Sequence, residues 1–566
     1  PRAAPRSTPR PVTRRVRLRP WQKVALERFQ AWSDPDFLAV ATPGAGKTTF
    51  ALTAAVSRLA DSDGPRRLVV VAPTAHLKLQ WAAAAARFGV HLDPQWAAAD
   101  GALPADMHGI VTTYQQVAGC APALARVAAG AMVVFDEIHH AGDDRAWGEA
   151  IRVAFERAAL RLSLSGTPFR SDTASIPFLR YELEEARPDF EYGYGEALRD
   201  GRVVRPVYFP RTNGHMEWSA PDGSLYAADF DDALDRVRAN QRLRTALSLE
   251  GEWLPTVLRA AHDRLTDIRR THADAGGLVI ASEQDHARGI ADALARCHGV
   301  RAVVATSDDA GASDRIAAFA ASDRPWLVAV RMVSEGVDLP RLRVGVYATT
   351  TTTELFFRQA VGRLVRWTPG VPAQRSYLFI PDDARLRGWA ARIAEVRRHS
   401  LRREASDEPA DDPAALDPTP PAERGGEQLS LFAVISAVAT DTAETGHAGE
   451  GPVTGAGEGL PPEGADDEDL TVELPALVGP GGFGGSPLGG GPAGEGGVLL
   501  TRREQKARLR DANADLARAL AHKTGWPHAK VNAELNRLAG IRRVTEATVE
   551  QLERRLRQAD RWHSRA

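Results

Sequence analysis

The sequence predicts an α/β protein with two doubly wound parallel-sheet domains in tandem, a disordered acidic Gly-rich linker and a small C-terminal helical domain. Three observations predict it. Short apolar runs alternate with helical patterns between residues 20 and 400. There are nine such runs, too many for one compact half. Composition then shifts to acid, Gly and Pro, and helical periodicity returns only from Thr501.

The elements follow in chain order. Residues 1–19 carry seven Arg and no acid and read as a basic disordered tail. The first domain, 20–200, contains apolar runs at 37–41, 68–72, 132–135 and 160–164. Continuous Val/Leu/Ala strands between helices imply a sheet buried on both faces. The stretch 201–260 interrupts the alternation and reads as a connecting segment. The second domain, 261–403, repeats the pattern at 277–281, 303–305, 326–330, 344–348 and 377–380. From 404 to 498 there are 19 Asp/Glu against one Arg, Arg424, and 18 of the 49 glycines fall in 439–498. Such a segment cannot bury enough apolar surface to offset its ordering entropy, so a flexible linker is expected. Residues 499–566 carry a net charge of +8 and show helical patterns at 508–521, 527–538 and 545–561. A basic helical accessory bundle is expected there. Arg502, Arg503, Lys506, Arg508 and Arg510 are its candidate DNA contacts, and partner docking is the alternative.

Composition narrows the function. The net charge of −2 over 566 residues conceals two basic ends around an acidic middle. Basic segments suit a polyanion, because each neutralised phosphate releases condensed counterions. Two cysteines exclude a disulfide framework and a four-cysteine metal site. No apolar run reaches a membrane span, and the Arg/Pro-rich start lacks a secretory h-region, so a cytoplasmic enzyme with no membrane partner is expected.

Two motifs carry the chemistry. Ala41-Thr42-Pro43-Gly44-Ala45-Gly46-Lys47-Thr48 follows an apolar strand and opens a helical pattern with Thr49. Its small residues let backbone N–H groups approach phosphate oxygens, and the helix dipole adds to them. Lys47 is expected on the β- and γ-phosphates and Thr48 on Mg²⁺. The second motif is Asp136-Glu137-Ile138-His139, two acids at the end of a five-residue apolar run. Carboxylates at the carboxyl end of a parallel strand sit where α/β sheets bind ligands. Asp136 is the candidate Mg²⁺ ligand and Glu137 the base for an attacking water.

Together these residues resemble superfamily 2 helicases, whose motif order runs through residues 19–366. The resemblance implies two RecA-like domains and a DExH box at Asp136–His139. Arg19-Pro20-Trp21-Gln22 resembles the adenine-reading Q motif, with Gln22 on the base. Pro73-Thr74 and Thr113-Tyr114 resemble nucleic-acid contacts of the first domain. Ser165-Gly166-Thr167-Pro168 resembles motif III, which couples hydrolysis to domain movement together with His139. Ser282 resembles motif IV, and Ser334-Glu335-Gly336-Val337-Asp338 resembles motif V, with Ser334 on nucleic acid and Gly336 and Asp338 toward the nucleotide. Gln359-Ala360-Val361-Gly362-Arg363-Leu364-Val365-Arg366 resembles motif VI. The spacing i, i+4, i+7 puts Gln359, Arg363 and Arg366 on one helix face, with the two guanidiniums facing a phosphate across the cleft.

The resemblance implies a DNA-stimulated ATPase in replication or repair that uses ATP and Mg²⁺, with RNA a less favoured partner. The alternatives are a double-strand translocase of a restriction or defence system, an RNA helicase, or a scaffold using ATP as a clasp. Finally, Gln428-Leu429-Ser430-Leu431-Phe432 resembles the peptide by which bacterial proteins bind the sliding clamp. Leu431 and Phe432 would fill an apolar pocket, Leu429 would pack beside it, and Gln428 would bond at the rim.

Overall fold

Two separate sheets organise the protein in a computed structural model, which describes residues 14–100, 103–142, 145–166, 176–182, 185–220, 223–306, 311–330, 339–402, 433–444, 471–475, 477 and 502–565. The first sheet contains β1 (Asp36–Ala41), β2 (Leu68–Ala72), β3 (Leu92–Asp93), β4 (Gly109–Thr113), β5 (Met132–Phe135), β6 (Leu160–Ser165) and β7 (Phe190–Tyr192). Their order is β7-β1-β6-β5-β2-β4-β3, and every pair is parallel. Leu68, Val69, Val70 and Val71 of β2 and Met132 and Val133 of β5 are fully buried, as a strand covered on both faces requires. Helices α1 (Pro20–Gln30) and α2 (Lys47–Ala60) pack together, with Trp21 against Phe50.

The second sheet has nine strands among the described residues. They are β8 (Val207–Tyr208), β9 (Pro210–Ser219), β10 (Leu225–Asp229), β11 (Gly276–Ala281), β12 (Val303–Ala305), β13 (Trp326–Val330), β14 (Leu342–Ala348), β15 (Ser376–Pro381) and β16 (Ala433–Glu444). The main path is β10-β9-β15-β14-β11-β13-β12, with β8 on β15 and β16 on β9. Helix α3 (Glu354–Leu364) follows β14 and carries the motif VI residues toward the first sheet.

Three expectations change. The stretch 201–260 is no bare connection, because β8, β9 and β10 extend the second sheet. Continuous apolar runs do not reveal β9, whose residues alternate buried and part-exposed along its whole length. The linker 404–498 is not uniformly irregular either. β16 lies antiparallel on β9, and Thr471–Leu474 pairs with Arg14–Arg17. That second pairing also orders the end of the basic tail: Arg15 bonds Glu473 at 3.0 Å, and Leu18 and Leu474 are each 2% exposed. Opposite charge and a shared apolar anchor explain what composition alone hides. The peptide Gln428–Phe432 lies outside the described residues.

The C-terminal helices are α4 (Arg502–Thr524), α5 (His528–Ala539) and α6 (Val549–Arg565). They close on Ala517, Leu520, Val531, Leu535 and Ala559. Buried Arg555 ties them together through Asn513, Asn532 and Asn536. The bundle stands on the first domain. Lys506 is buried against Asp106, Arg502 lies 3.6 Å from the same carboxylate, and the Val549 N–H donates to it at 3.1 Å. Arg502 and Lys506 therefore serve domain docking rather than DNA, because a buried carboxylate claims both cations.

Candidate nucleotide site

The phosphate loop leaves β1 and enters α2 through two left-handed glycines, Gly44 at φ 81° and Gly46 at φ 95°. Any Cβ there strains the backbone, so the loop geometry requires Gly at both positions. The element before it, α1, holds the loop from below. Gln22 accepts the Arg19 N–H at 2.8 Å and donates to the Gly46 carbonyl at 2.9 Å. Arg19 donates to the Gly44 carbonyl at 2.9 Å and the Trp21 indole to the Ala45 carbonyl at 3.1 Å. Trp21 itself stacks on Tyr192 of β7, ring centroids 5.1 Å apart. Gln22, expected on a base, thus braces the loop with both ends of its amide.

The acids arrive from β5. The Asp136 N–H closes the strand on Val71 at 2.9 Å, and Glu137 then turns through φ 48°, a left-handed conformation costly for a residue with a Cβ. That turn aims its carboxylate at the loop. Lys47 Nζ lies 2.9 Å from Glu137 Oε1, and the Gly166 N–H donates to Glu137 Oε2 at 2.9 Å. Three neighbouring strands, β1, β6 and β5, therefore deliver lysine, amide and carboxylate to one point at their carboxyl ends. Thr48 and Thr49 form the first turn of α2 beside them.

The two acids differ electrically. Burial raises the Asp136 pKa to about 6, and the neighbouring Glu137 charge adds to it. The Trp81 indole donates to Asp136 Oδ2 at 2.8 Å, and the Tyr114 hydroxyl donates to its carbonyl at 2.9 Å. Burial also pushes Glu137 up, but the Lys47 ammonium and His139 outweigh it and hold the carboxyl well down, at about 2. Sequence reasoning missed Trp81 and the brace formed by Arg19 and Trp21. Nothing in a lone aromatic seven residues after Thr74 announces a bond to the acidic strand.

The second domain closes over this point. A Cβ at Gly362 of α3 would stand 2.6 Å from Pro43 Cγ, so glycine alone permits the contact. Gln359 donates to His139 Nε2 at 3.2 Å, and His139 Nδ1 lies 3.7 Å from Glu137 Oε2. A cavity of about 280 Å³ continues beside it, lined by Thr42, Pro43, Tyr192, Val361 and Gly362 among others. Gln359 and Arg363 lie on α3, but Arg366 does not share their helix face. The helix ends at Leu364, and Arg366 forms an antiparallel bridge with Val204. Its side chain still reaches the loop, with Cγ 3.4 Å from the position a Gly44 Cβ would take.

The other expected residues divide. Ser165 ends β6 fully buried. Thr74 caps the helix Ala75–Arg87, accepting from the Leu77 N–H. Thr113 forms a capping box with Gln116 and is 7% exposed, and Ser282 Oγ donates to the Ala348 carbonyl at 3.2 Å. These hydroxyls serve helix caps and strand ends, at the carboxyl edges of β2, β4 and β11. Thr167, Ser334, Gly336 and Asp338 lie outside the described residues. Among the described residues no helix is long and apolar enough to cross a membrane.

Known proteins give the following likenesses. The family described as Type III restriction enzyme, res subunit, matches residues 15–170. Uncharacterized protein MT2985 of Mycobacterium tuberculosis is 39% identical over 95% of this chain and 92% of its own length. Uncharacterized protein ML1624 of Mycobacterium leprae is 38% identical over 95% and 93%. Among solved structures, a fragment assigned as an HsdR subunit of a type I restriction enzyme from Vibrio vulnificus superposes with a TM-score of 0.46 at 17% identity, covering 66% of this chain and 65% of that one, just under two thirds of its length.

An acid whose pKa rises on folding holds its proton more tightly in the folded state. The Asp136 charge therefore costs stability as pH climbs from the ordinary 3.8, and that cost is complete above about 6. Asp136→Asn is expected to raise the melting temperature of the nucleotide-free protein at pH 7.5, with a gain that shrinks toward pH 5. Differential scanning fluorimetry across that range checks it, and a gain independent of pH contradicts the burial argument.

Proposed function

The chain belongs to one family with MT2985 and ML1624 of the mycobacteria, and from that premise we propose that it is an ATP-dependent nucleic-acid motor of the DExH superfamily 2 type, acting on DNA in replication or repair. One observation carries the reading: Lys47 and Glu137 meet at 2.9 Å directly beneath a second domain that touches the loop through Gly362.

In the proposed cycle the loop amides between Gly44 and Lys47 cradle the phosphates, and Lys47 leaves Glu137 for them. With the ammonium gone, burial dominates Glu137, its pKa rises, and it becomes a competent base for the attacking water. Thr48 and Asp136 are the oxygen donors for Mg²⁺. One Asp136 oxygen is held by Trp81, and a hard cation that keeps waters and phosphate oxygens suits the remaining donor set. That metal would neutralise charge on the β- and γ-phosphates. Arg363 and Arg366 supply positive charge from the other domain, and the Gln359–His139 bond reports the state of Glu137 to α3. Gly336 and Asp338 would complete the nucleotide's surroundings. A strand held by residues near Pro73, Thr74, Thr113, Ser282 and Ser334 spans both domains, so opening and closing moves it. The contacts are to phosphate and sugar, with little sequence readout.

A second reading, a double-strand translocase of a restriction system, is favoured by the family match over residues 15–170. Strand displacement on forked DNA supports the helicase reading, and displacement of a triplex strand without unwinding supports the translocase. The same proposal includes a sliding-clamp tether at Gln428, Leu429, Leu431 and Phe432. The peptide ends one residue before β16, which is fastened to β9, so a bound clamp would sit close to the second domain. Retention on immobilised clamp, lost in Gln428→Ala/Phe432→Ala, is expected; equal retention removes the tether.

ATP hydrolysis should rise several-fold with single-stranded or forked DNA and less with RNA. Glu137→Gln should keep ATP binding but lose about 100-fold or more in turnover, and Lys47→Ala should weaken binding itself. A coupled ATPase assay with and without each nucleic acid checks all three. Undiminished turnover by Glu137→Gln contradicts the base assignment.

A further inference from the structure

The C-terminal bundle uses one end to dock and leaves the other open. Its docking end is Arg502 and Lys506 on Asp106. Helix α4 runs 23 residues away from that contact, roughly 34 Å at 1.5 Å per residue. At the far end the last turn of α4, the first turn of α5 and the last turn of α6 converge. Lys523 Nζ donates to the His563 carbonyl at 2.8 Å, and Trp526 meets Trp562 edge-on at 5.5 Å. Lys530 Nζ sits 3.9 Å over the Trp526 ring.

This tip has an unusual surface. Residues 525–530, Gly-Trp-Pro-His-Ala-Lys, are all exposed, and Trp526 leaves 38% of its area to solvent. The segment 516–533 contains no Asp or Glu. Lys523, Lys530, Arg561 and Arg565 are exposed there, against the single acid Asp560. The rigid core under the tip, closed by Arg555 and three Asn, holds the ring in place. A fixed aromatic ringed by cations matches unpaired nucleotides: the π-face stacks on a base and the cations take neighbouring phosphates. Duplex DNA hides its base faces. A membrane surface would call for more apolar side chains than Trp526 and Pro527.

We propose that the Trp526 tip of the C-terminal bundle is a binding site for single-stranded nucleic acid, a second grip about a helix length from where the bundle is anchored. The site lies outside the cleft, and its use by a moving motor rests on the function proposed above. It replaces the 502–510 cluster as the bundle's nucleic-acid contact, because that cluster is spent on docking.

Fluorescence anisotropy of labelled dT20 and rU20 with the full chain, without nucleotide and over a salt series, tests it. Trp526→Ala is expected to weaken binding about tenfold, and Trp526→Phe to restore it to within about twofold, which a merely structural role would not do. Lys523→Ala/Lys530→Ala should lower the slope of log affinity against log salt by about 1. Comparable dT20 and rU20 affinities mark a base-stacking site open to either strand, and a preference for one identifies the source. Wild-type affinity and slope in Trp526→Ala overturn the proposal, as does binding of anionic vesicles without binding of either oligonucleotide. ATPase measured in the same samples separates the two readings. DNA stimulation that persists while Trp526→Ala changes nothing removes the tip and leaves the motor. Trp526-dependent binding with no stimulation keeps the tip and removes the motor.

Discussion

A lysine and a glutamate 2.9 Å apart, carried on different strands of one parallel sheet, set the terms for everything around them. The pair requires β1 and β5 to end at the same level with β6 between them. It requires two left-handed glycines to fold the loop back and a left-handed glutamate to reach it. It also explains why two adjacent acids behave oppositely. Glu137 faces the ammonium and stays ionised, whereas Asp136 faces an indole N–H in a buried site and holds its proton more readily. A ligand that competes for Lys47 changes both at once, which is how an empty site becomes a reactive one.

The second domain reads that pair through few contacts. Gly362 on Pro43 fixes the approach of α3, and Gln359 on His139 joins α3 to the acidic strand. The chain between the domains takes part as well. Val204 bridges Arg366, and the Arg205 N–H donates to the Val365 carbonyl at 2.7 Å. The fully buried Arg205 guanidinium reaches the Pro340 carbonyl and, at 3.1 Å, the Thr368 hydroxyl. The crossing strand is thus hydrogen-bonded to the segment that carries Arg366, so rotation of one domain against the other moves that side chain with the hinge.

Much of this was legible in the residues. The nine apolar runs coincide with strands to within a residue or two, because parallel strands buried on both faces leave an unbroken apolar signature. Gly44, Gly46, Lys47, Asp136 and Glu137 are readable because their spacing encodes the strand-loop-helix geometry itself. What escaped was encoded elsewhere. Strand β9 alternates, and its partner β16 lies some 200 residues on, past a change of composition that masks it. Helical spacing extended to Arg366 fails because the helix ends two residues earlier. The basic cluster at 502–510 looks like a polyanion contact until Asp106 is found beneath it. Charge patterns reveal a preference for an opposite charge, and only the fold reveals whether the protein itself provides one.

The decisive measurement is a single-turnover comparison of Arg363→Ala and Arg366→Ala with the wild type, alongside the Kd of a fluorescent ATP analogue. If charge from the second domain acts only when the cleft closes on a triphosphate, affinity stays within a few-fold while the hydrolysis rate falls by about a thousandfold. Hydrolysis at the wild-type rate in both variants contradicts a shared site between the domains.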